Sequence, residues 1–272
     1  QGRITAAADG TGGGGGSAAL ASYQYDENID ASPAVTTATR PPPSAGRPPL
    51  IVMIHGGPTA QVESGFEAKN QYFATRGWAV LDIDYRGSTG HGREYMNALR
   101  GNWGVTDVED AVGGSRYLAD AGLADPTRTV IMGGSAGGYT VLRAMTVQPG
   151  FFRAGICLYG ISNLFTLAAD THKFEAHYLD SLIGPLPESA AIYRERSPIY
   201  AADKMRDPIA IFQGSEDQVV PPVQAEEIVA SRSLTLGLAL PFLLFCLFAL
   251  PFLLAAHRFG CTCRRLRTGR IH

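Results

Sequence analysis

Five short apolar runs punctuate the middle of this chain, and the stretches between them carry helical patterning. The runs are Leu50-Ile51-Val52-Met53-Ile54, residues 79–84, Thr129-Val130-Ile131-Met132, residues 155–159 and Ile209-Ala210-Ile211-Phe212. Runs this short, with little polar alternation, suit strands covered on both sides. Helices are expected over about 61–76, from Asp107 to about 121, over 137–146 and over about 222–230. Asp107, Glu109 and Asp110 favour the start of the second helix, and Pro221 opens the last. Strands alternating with helices imply βαβ units, hence an α/β fold with a mostly parallel sheet and helices on both faces. Reactive groups in such a fold gather at the carboxyl ends of the strands.

Three of the strand ends carry chemistry. After the third run comes Gly133-Gly134-Ser135-Ala136-Gly137, a G-x-S-x-G pattern between a strand and a helix. A sharp turn there lifts the serine hydroxyl above the sheet, and small flanking residues let the backbone turn so tightly. After the first run comes His55-Gly56-Gly57-Pro58, a glycine turn whose amides could donate to an oxyanion; Ala136, which follows the serine, would supply a second donor. His55 itself reads as structural, since it sits at the strand end on the oxyanion side. After the fifth run comes Gly214-Ser215-Glu216-Asp217-Gln218, which places Asp217 82 residues beyond Ser135. Serine hydrolases of this architecture present their residues in the order serine, acid, histidine, so Asp217 suits the acid, with Glu216 as the weaker alternative.

These motifs, with Gly77-Trp78-Ala79-Val80, Tyr85-Arg86-Gly87-Ser88 and Trp103-Gly104 ahead of Asp107, together resemble the catalytic domain of the prolyl oligopeptidase family. The likeness is closest to its acylaminoacyl-peptidase and dipeptidyl-peptidase-like branch and runs from about Leu50 to Ala230. It implies an α/β-hydrolase fold and a serine peptidase acting on short peptides or acyl-peptides. Ser135 would be the nucleophile, Asp217 the acid, and Gly57 and Ala136 the oxyanion donors. No cofactor or metal is implied, and by resemblance the location is cytoplasmic. A carboxylesterase-like hydrolase is the alternative enzyme, because one scaffold hosts many chemistries. A non-catalytic, membrane-tethered pseudoenzyme is the other.

The last possibility arises because the pattern breaks off. Family members continue past Ala230 with a strand and a glycine-flanked histidine loop, which residues 231–272 do not reproduce. His257 is a weak candidate for the missing base, abutting an apolar run and lacking the glycines. His91, His172 and His177 precede Asp217, against the expected order, and His272 is terminal. Residues 234–256 form an uncharged stretch long enough to cross a bilayer, with Ala-Leu-Pro-Phe-Leu-Leu occurring twice. They read either as a membrane span or as translated non-coding sequence. No acid follows Glu227, while six of the 23 basic residues do, leaving 17 against 25 acidic residues in the rest.

At the other end, residues 1–49 are rich in glycine and proline and read as linker or disorder, with a short strand or the remnant of a lost domain as the alternative around Ala19 to Asp30. They are too few for the several four-stranded blades of a β-propeller. A start at Gln1 without a signal-peptide pattern suggests a fragment. A net charge of −2 offers no footprint for nucleic acid. Four cysteines make no disulfide framework, and the lone Cys261-x-Cys263 lacks the four ligands of structural zinc.

Overall fold

The computed structural model describes residues 46–170 and 178–235, with the backbone of three short strands nearer the N-terminus. Its strands in chain order are β1 (Arg3–Thr5), β2 (Leu20–Gln24), β3 (Ala34–Thr39), β4 (Leu50–Ile54), β5 (Ala79–Asp84), β6 (Thr129–Gly134), β7 (Ala154–Leu158) and β8 (Ile209–Phe212). The helices are α1 (Ala68–Ala74), α2 (Arg93–Asn97), α3 (Thr106–Asp120), α4 (Ala136–Val147), α5 (Leu164–Asp170), α6 (Tyr178–Leu182), α7 (Ala190–Arg196) and α8 (Val223–Thr235), with a 3-10 segment over Pro198–Lys204.

The five apolar runs are five parallel neighbours in the order β5-β4-β6-β7-β8, as the α/β reading requires. β4 is central and buried throughout, pairing Ile51 with Val80 on one side and Val130 on the other. Beyond β5 the sheet continues antiparallel through β3, β2 and β1. These strands lie inside the segment expected to be linker. β3, Ala-Val-Thr-Thr-Ala-Thr, is locally rich in β-branched residues, a preference that the glycine and proline around it mask at the level of composition.

Side chains alternate between two sides of the sheet. One side turns Leu50, Val52, Leu81, Ile83, Ile131 and Cys157 into the main core, which α3, α4 and α8 help to close. On the other, a smaller cluster of Ile51, Met53, Val80 and Met132 receives, among the described residues, those of just one helix, α1, through Phe73 and Ala74. That helix begins at Ala68, later than expected: residues 58–67 loop across the strand ends, tied down by Tyr85 Oη donating to the Pro58 carbonyl at 3.0 Å and Val62 N–H donating to Asp84 Oδ1 at 2.7 Å.

α8 runs through position 230, where the domain was expected to end, and stops at Thr235. The apolar stretch 234–256 therefore begins inside this helix and otherwise lies outside the described residues. Among the described residues no helix is long and apolar enough to cross a membrane.

Candidate active site

Ser135 stands where β6 gives way to α4, with φ 55° and ψ −122°. Only Ser135 and Tyr159 among the described non-glycine residues have positive φ. Such backbone costs about 1–3 kcal/mol and persists where its surroundings over-determine it. Here they do. Ser135 N–H donates to the Leu158 carbonyl at 3.0 Å, and the Ser135 carbonyl accepts from Tyr139 N–H at 3.0 Å. A Cβ on Gly133 would lie 2.5 Å from the Gly137 carbonyl oxygen, and one on Gly137 would run into the Ile54 carbonyl. The glycines of the motif are thus a packing requirement, and Ser135 remains half-buried at the surface.

The glycine turn after β4 presses against this elbow. A Cβ on Gly56 would be 3.3 Å from the Gly134 carbonyl oxygen and 3.6 Å from the Ser135 Cβ. Gly57 has φ +126°, in the region that favours glycine. Ala136 opens α4, where helix geometry leaves the first amides without intrahelical acceptors and makes them ready donors to an anion. Beside the turn and the elbow lies a cavity of about 230 Å³, bordered by Ser135, Gly56, Tyr159 and Lys69 and floored by Met53, Met132 and Leu158.

Asp217 follows β8, two strands from Ser135. The carboxylate is held: its Oδ1 accepts from the N–H groups of Val219 and Val220, both at 3.0 Å, while Gln213 Nε2 approaches Oδ2 at 3.4 Å. Glu216 is exposed beside it, with no such anchoring among the described contacts.

The two described histidines are elsewhere. His55 is stacked on Tyr85 with ring centroids 4.3 Å apart, its Nε2 2.7 Å from Ser88 Oγ and its Nδ1 2.7 Å from the Gly56 carbonyl oxygen. Burial lowers its pKa, against the opposing pull of the Gly56 carbonyl and Asp84. Ser88 Oγ donates its one proton to the Tyr85 carbonyl at 2.7 Å. His91 Nε2 bonds Asp84 Oδ2 at 2.9 Å. Neither bonds Asp217. His172, His177, His257 and His272 lie outside the described residues.

Two buried acids escaped the sequence reading. Asp84, 2% exposed, joins the loop at Val62, His91 and, at 3.9 Å, His55. Asp107, expected only as a helix-starting acid, is fully buried beneath the elbow helix. Its Oδ1 accepts from Gly104 N–H at 2.7 Å and its Oδ2 from Thr140 Oγ at 2.5 Å. Burial pushes its pKa up to about 6 despite those bonds. Strand and helix patterning carries no signal for such tertiary partners. Cys157 is buried and its thiol pushed up to about 12, so it is no nucleophile.

A parallel sheet with a serine on a strained strand-to-helix turn, a glycine turn beside it and an anchored acid two strands away defines the α/β-hydrolase class. Within that class the chain belongs to the prolyl oligopeptidase family, whose model matches residues 64–235. It is 35% identical over 186 residues to a dipeptidyl aminopeptidase BIII of Pseudoxanthomonas mexicana, covering 66% of this chain and 27% of that protein. To an acylamino-acid-releasing enzyme of Arabidopsis thaliana it is 30% identical, covering 64% of this chain and 24% of the other. Among solved structures, a puromycin-hydrolyzing peptidase of Mycobacterium tuberculosis superposes with a TM-score of 0.71 at 41% identity, over 80% of this chain and 32% of that one. An acylaminoacyl peptidase of Pyrococcus horikoshii gives 0.68 at 27% identity, over 73% and 32%. The chain thus spans about a quarter of the length of the curated relatives it matches.

Proposed function

We propose that this chain carries the nucleophile and acid of a serine peptidase for short peptides or acyl-peptides, and that it hydrolyses them poorly for want of a general base. The observation that carries the reading is the strained elbow at Ser135, packed against the glycine turn of Gly56 and Gly57. Ser135 Oγ would attack the scissile carbonyl, and the oxyanion so formed would meet the amides of Gly57 and Ala136. The amine leaves, an acyl-enzyme remains, and water releases the acid. Asp217 would orient a base arriving between β6 and β8. The relatives support the substrate class, since they are a dipeptidyl aminopeptidase, an acylamino-acid-releasing enzyme and a puromycin-hydrolyzing peptidase.

The want of a base is a reading of the sequence, where residues 231–272 lack the glycine-flanked histidine loop; among the described residues both histidines are engaged on the Asp84 side of the site. A positioned base contributes about 10²- to 10⁴-fold to such a step. Labelling of the full chain with a fluorophosphonate should therefore be slow, and absent in Ser135→Ala. Labelling as fast as in an intact serine hydrolase would refute the impairment, and a further loss in His257→Ala would then identify the base. Labelling that survives Ser135→Ala would remove Ser135 from its role. Turnover of an acyl-peptide against a p-nitrophenyl ester separates peptidase from esterase.

A further inference from the structure

We propose that His55 is a positioning residue for the oxyanion: its Nδ1–H holds the carbonyl of Gly56 and thereby aims the N–H of Gly57. This rests on the reading of Gly57 as a donor beside Ser135 and extends it to the side chain that directs the donor. Gly56 C=O and Gly57 N–H belong to one planar trans peptide, so they point in opposite directions and turn together. Whatever fixes the carbonyl fixes the amide. Both residues are glycine because the turn leaves little room for side chains. A Cβ on Gly56 would be 3.3 Å from the Gly134 carbonyl oxygen, and one on Gly57 would be 2.8 Å from Thr59 N. Two glycines also make this unit the freest of the turn to rotate, and Gly57 already stands at φ +126°. Its direction has to come from a contact.

The His55 ring provides it. Nδ1 lies 2.7 Å from the Gly56 carbonyl oxygen. A carbonyl oxygen only accepts, so Nδ1 carries the proton in this contact, whatever the state of Nε2. The ring is itself held. It stacks on the fully buried Tyr85, with planes 14° from parallel. Nε2 lies 2.7 Å from Ser88 Oγ and 3.9 Å from Asp84 Oδ1, on two buried residues. Turning the ring over would set carbon against the Gly56 oxygen and against Ser88 Oγ at once. Tyr85 secures the carbonyls on either side of the unit, its Oη 3.5 Å from that of His55 and donating to that of Pro58 at 3.0 Å. The carbonyls of residues 55, 56 and 58 are thus tied to one stacked pair of rings, the middle one by His55. The unit also begins beside the nucleophile, since a Cβ on Gly56 would lie 3.6 Å from the Ser135 Cβ. A donor held in advance needs no reorganisation as charge develops, which is the source of its effect.

The test compares the full chain with His55→Phe, which keeps the stack on Tyr85 but has no N–H, and His55→Asn, which presents a side-chain N–H near the position of Nδ1. Fluorophosphonate labelling of Ser135 should be about 10²-fold slower in His55→Phe than in the wild type, the lower end of the cost of deleting one oxyanion donor. His55→Asn should recover most of that loss. Equal rates in the wild type and His55→Phe overturn the proposal, and so does His55→Asn as slow as His55→Phe, since packing of the ring would then be what matters. A second measurement does not depend on Ser135 being reactive. The residual dipolar coupling of the Gly57 N–H reads its direction, and it should change in His55→Phe and be kept in His55→Asn, with the couplings of Leu50–Ile54 unaltered in both. The same Gly57 coupling in all three chains overturns the proposal even where labelling never reaches Ser135, an outcome that by itself removes only the nucleophile. Should His55→Phe fail to fold, nitrogen NMR of the wild type decides: Nδ1 should carry a proton, and a bare Nδ1 overturns the proposal.

Discussion

The two sides of the sheet use the same strands and end in different states. On the side of α3, α4 and α8, Leu50, Val52, Leu81 and Ile131 are fully buried. On the side of α1, burial is complete over β4 and β5, at Ile51 and Val80, and falls off over β7 and β8. The strands are equally apolar on both sides, so strand composition cannot be what sets the difference. It is set by what the rest of the chain brings to each side. The elbow helix α4 packs on β6 and β7 from the closed side and takes its position from that core, so Ser135 is held by the complete half of the molecule and opens onto the incomplete one.

Paired truncations test that contrast most strongly. Ile131→Ala on the closed side should cost about 2–5 kcal/mol in urea unfolding, the usual range for a buried large-to-small change. The described neighbours of Ile156, half-buried on β7, justify only about 1 kcal/mol, by the fraction of its surface withdrawn from water. A cost as large as that of Ile131→Ala would erase the contrast between the two sides.

Much of this could be read from the residues in order. All five parallel strands and the turn at Ser135 rest on local features: short apolar runs and glycine spacing. Those features fail where the deciding partner is distant in the chain. α1 was expected from residue 61, but Tyr85 and Asp84 hold the preceding stretch as a loop. β1 and β3 were hidden by the glycine and proline around them, and β2 was legible only as an alternative to linker, since their pairing partners are one another and β5. Asp84 and Asp107 reveal themselves only through Val62, His91, Gly104 and Thr140, on other loops and helices.

Both sides bury acids, and one from each gives the next contrast. Burial raises the pKa of Asp107 on the closed side to about 6 from an ordinary 3.8, and raises that of Asp82, hydrogen-bonded by Asn70, on the α1 side. For Asp107 the folded state holds the proton more tightly than the unfolded one. Its contribution to stability is therefore complete below about pH 3.8 and lost as pH rises through about 6. Two units at 1.36 kcal/mol each make a loss of about 3 kcal/mol. Asp107→Asn keeps an acceptor for Gly104 N–H and carries no charge, so it should gain about 2 kcal/mol on the wild type between pH 4 and pH 7.5. A constant difference across that range would mean that Asp107 stays ionised in its pocket.

The smallest effect tests whether the closed side is uniformly sensitive or sensitive only where it is buried. Arg86 reaches two carboxylates of α3: Nε lies 2.9 Å from Asp110 Oδ1, and Nη2 lies 2.8 Å from Glu109 Oε2. Asp110 is 1% exposed in its side chain and also accepts from the Arg86 N–H at 2.6 Å, whereas Glu109 is 61% exposed. Water screens the outer pair, and two long side chains lose freedom to form it. Glu109→Gln should accordingly change unfolding by less than about 1 kcal/mol, and by less still in 1 M salt. The distances of the two pairs are nearly the same, so only exposure separates them. A cost above that limit would mean that Glu109 fixes the orientation of Arg86 and, through Asp110, the loop after β5. The closed side would then owe part of its rigidity to a surface charge as well as to its core.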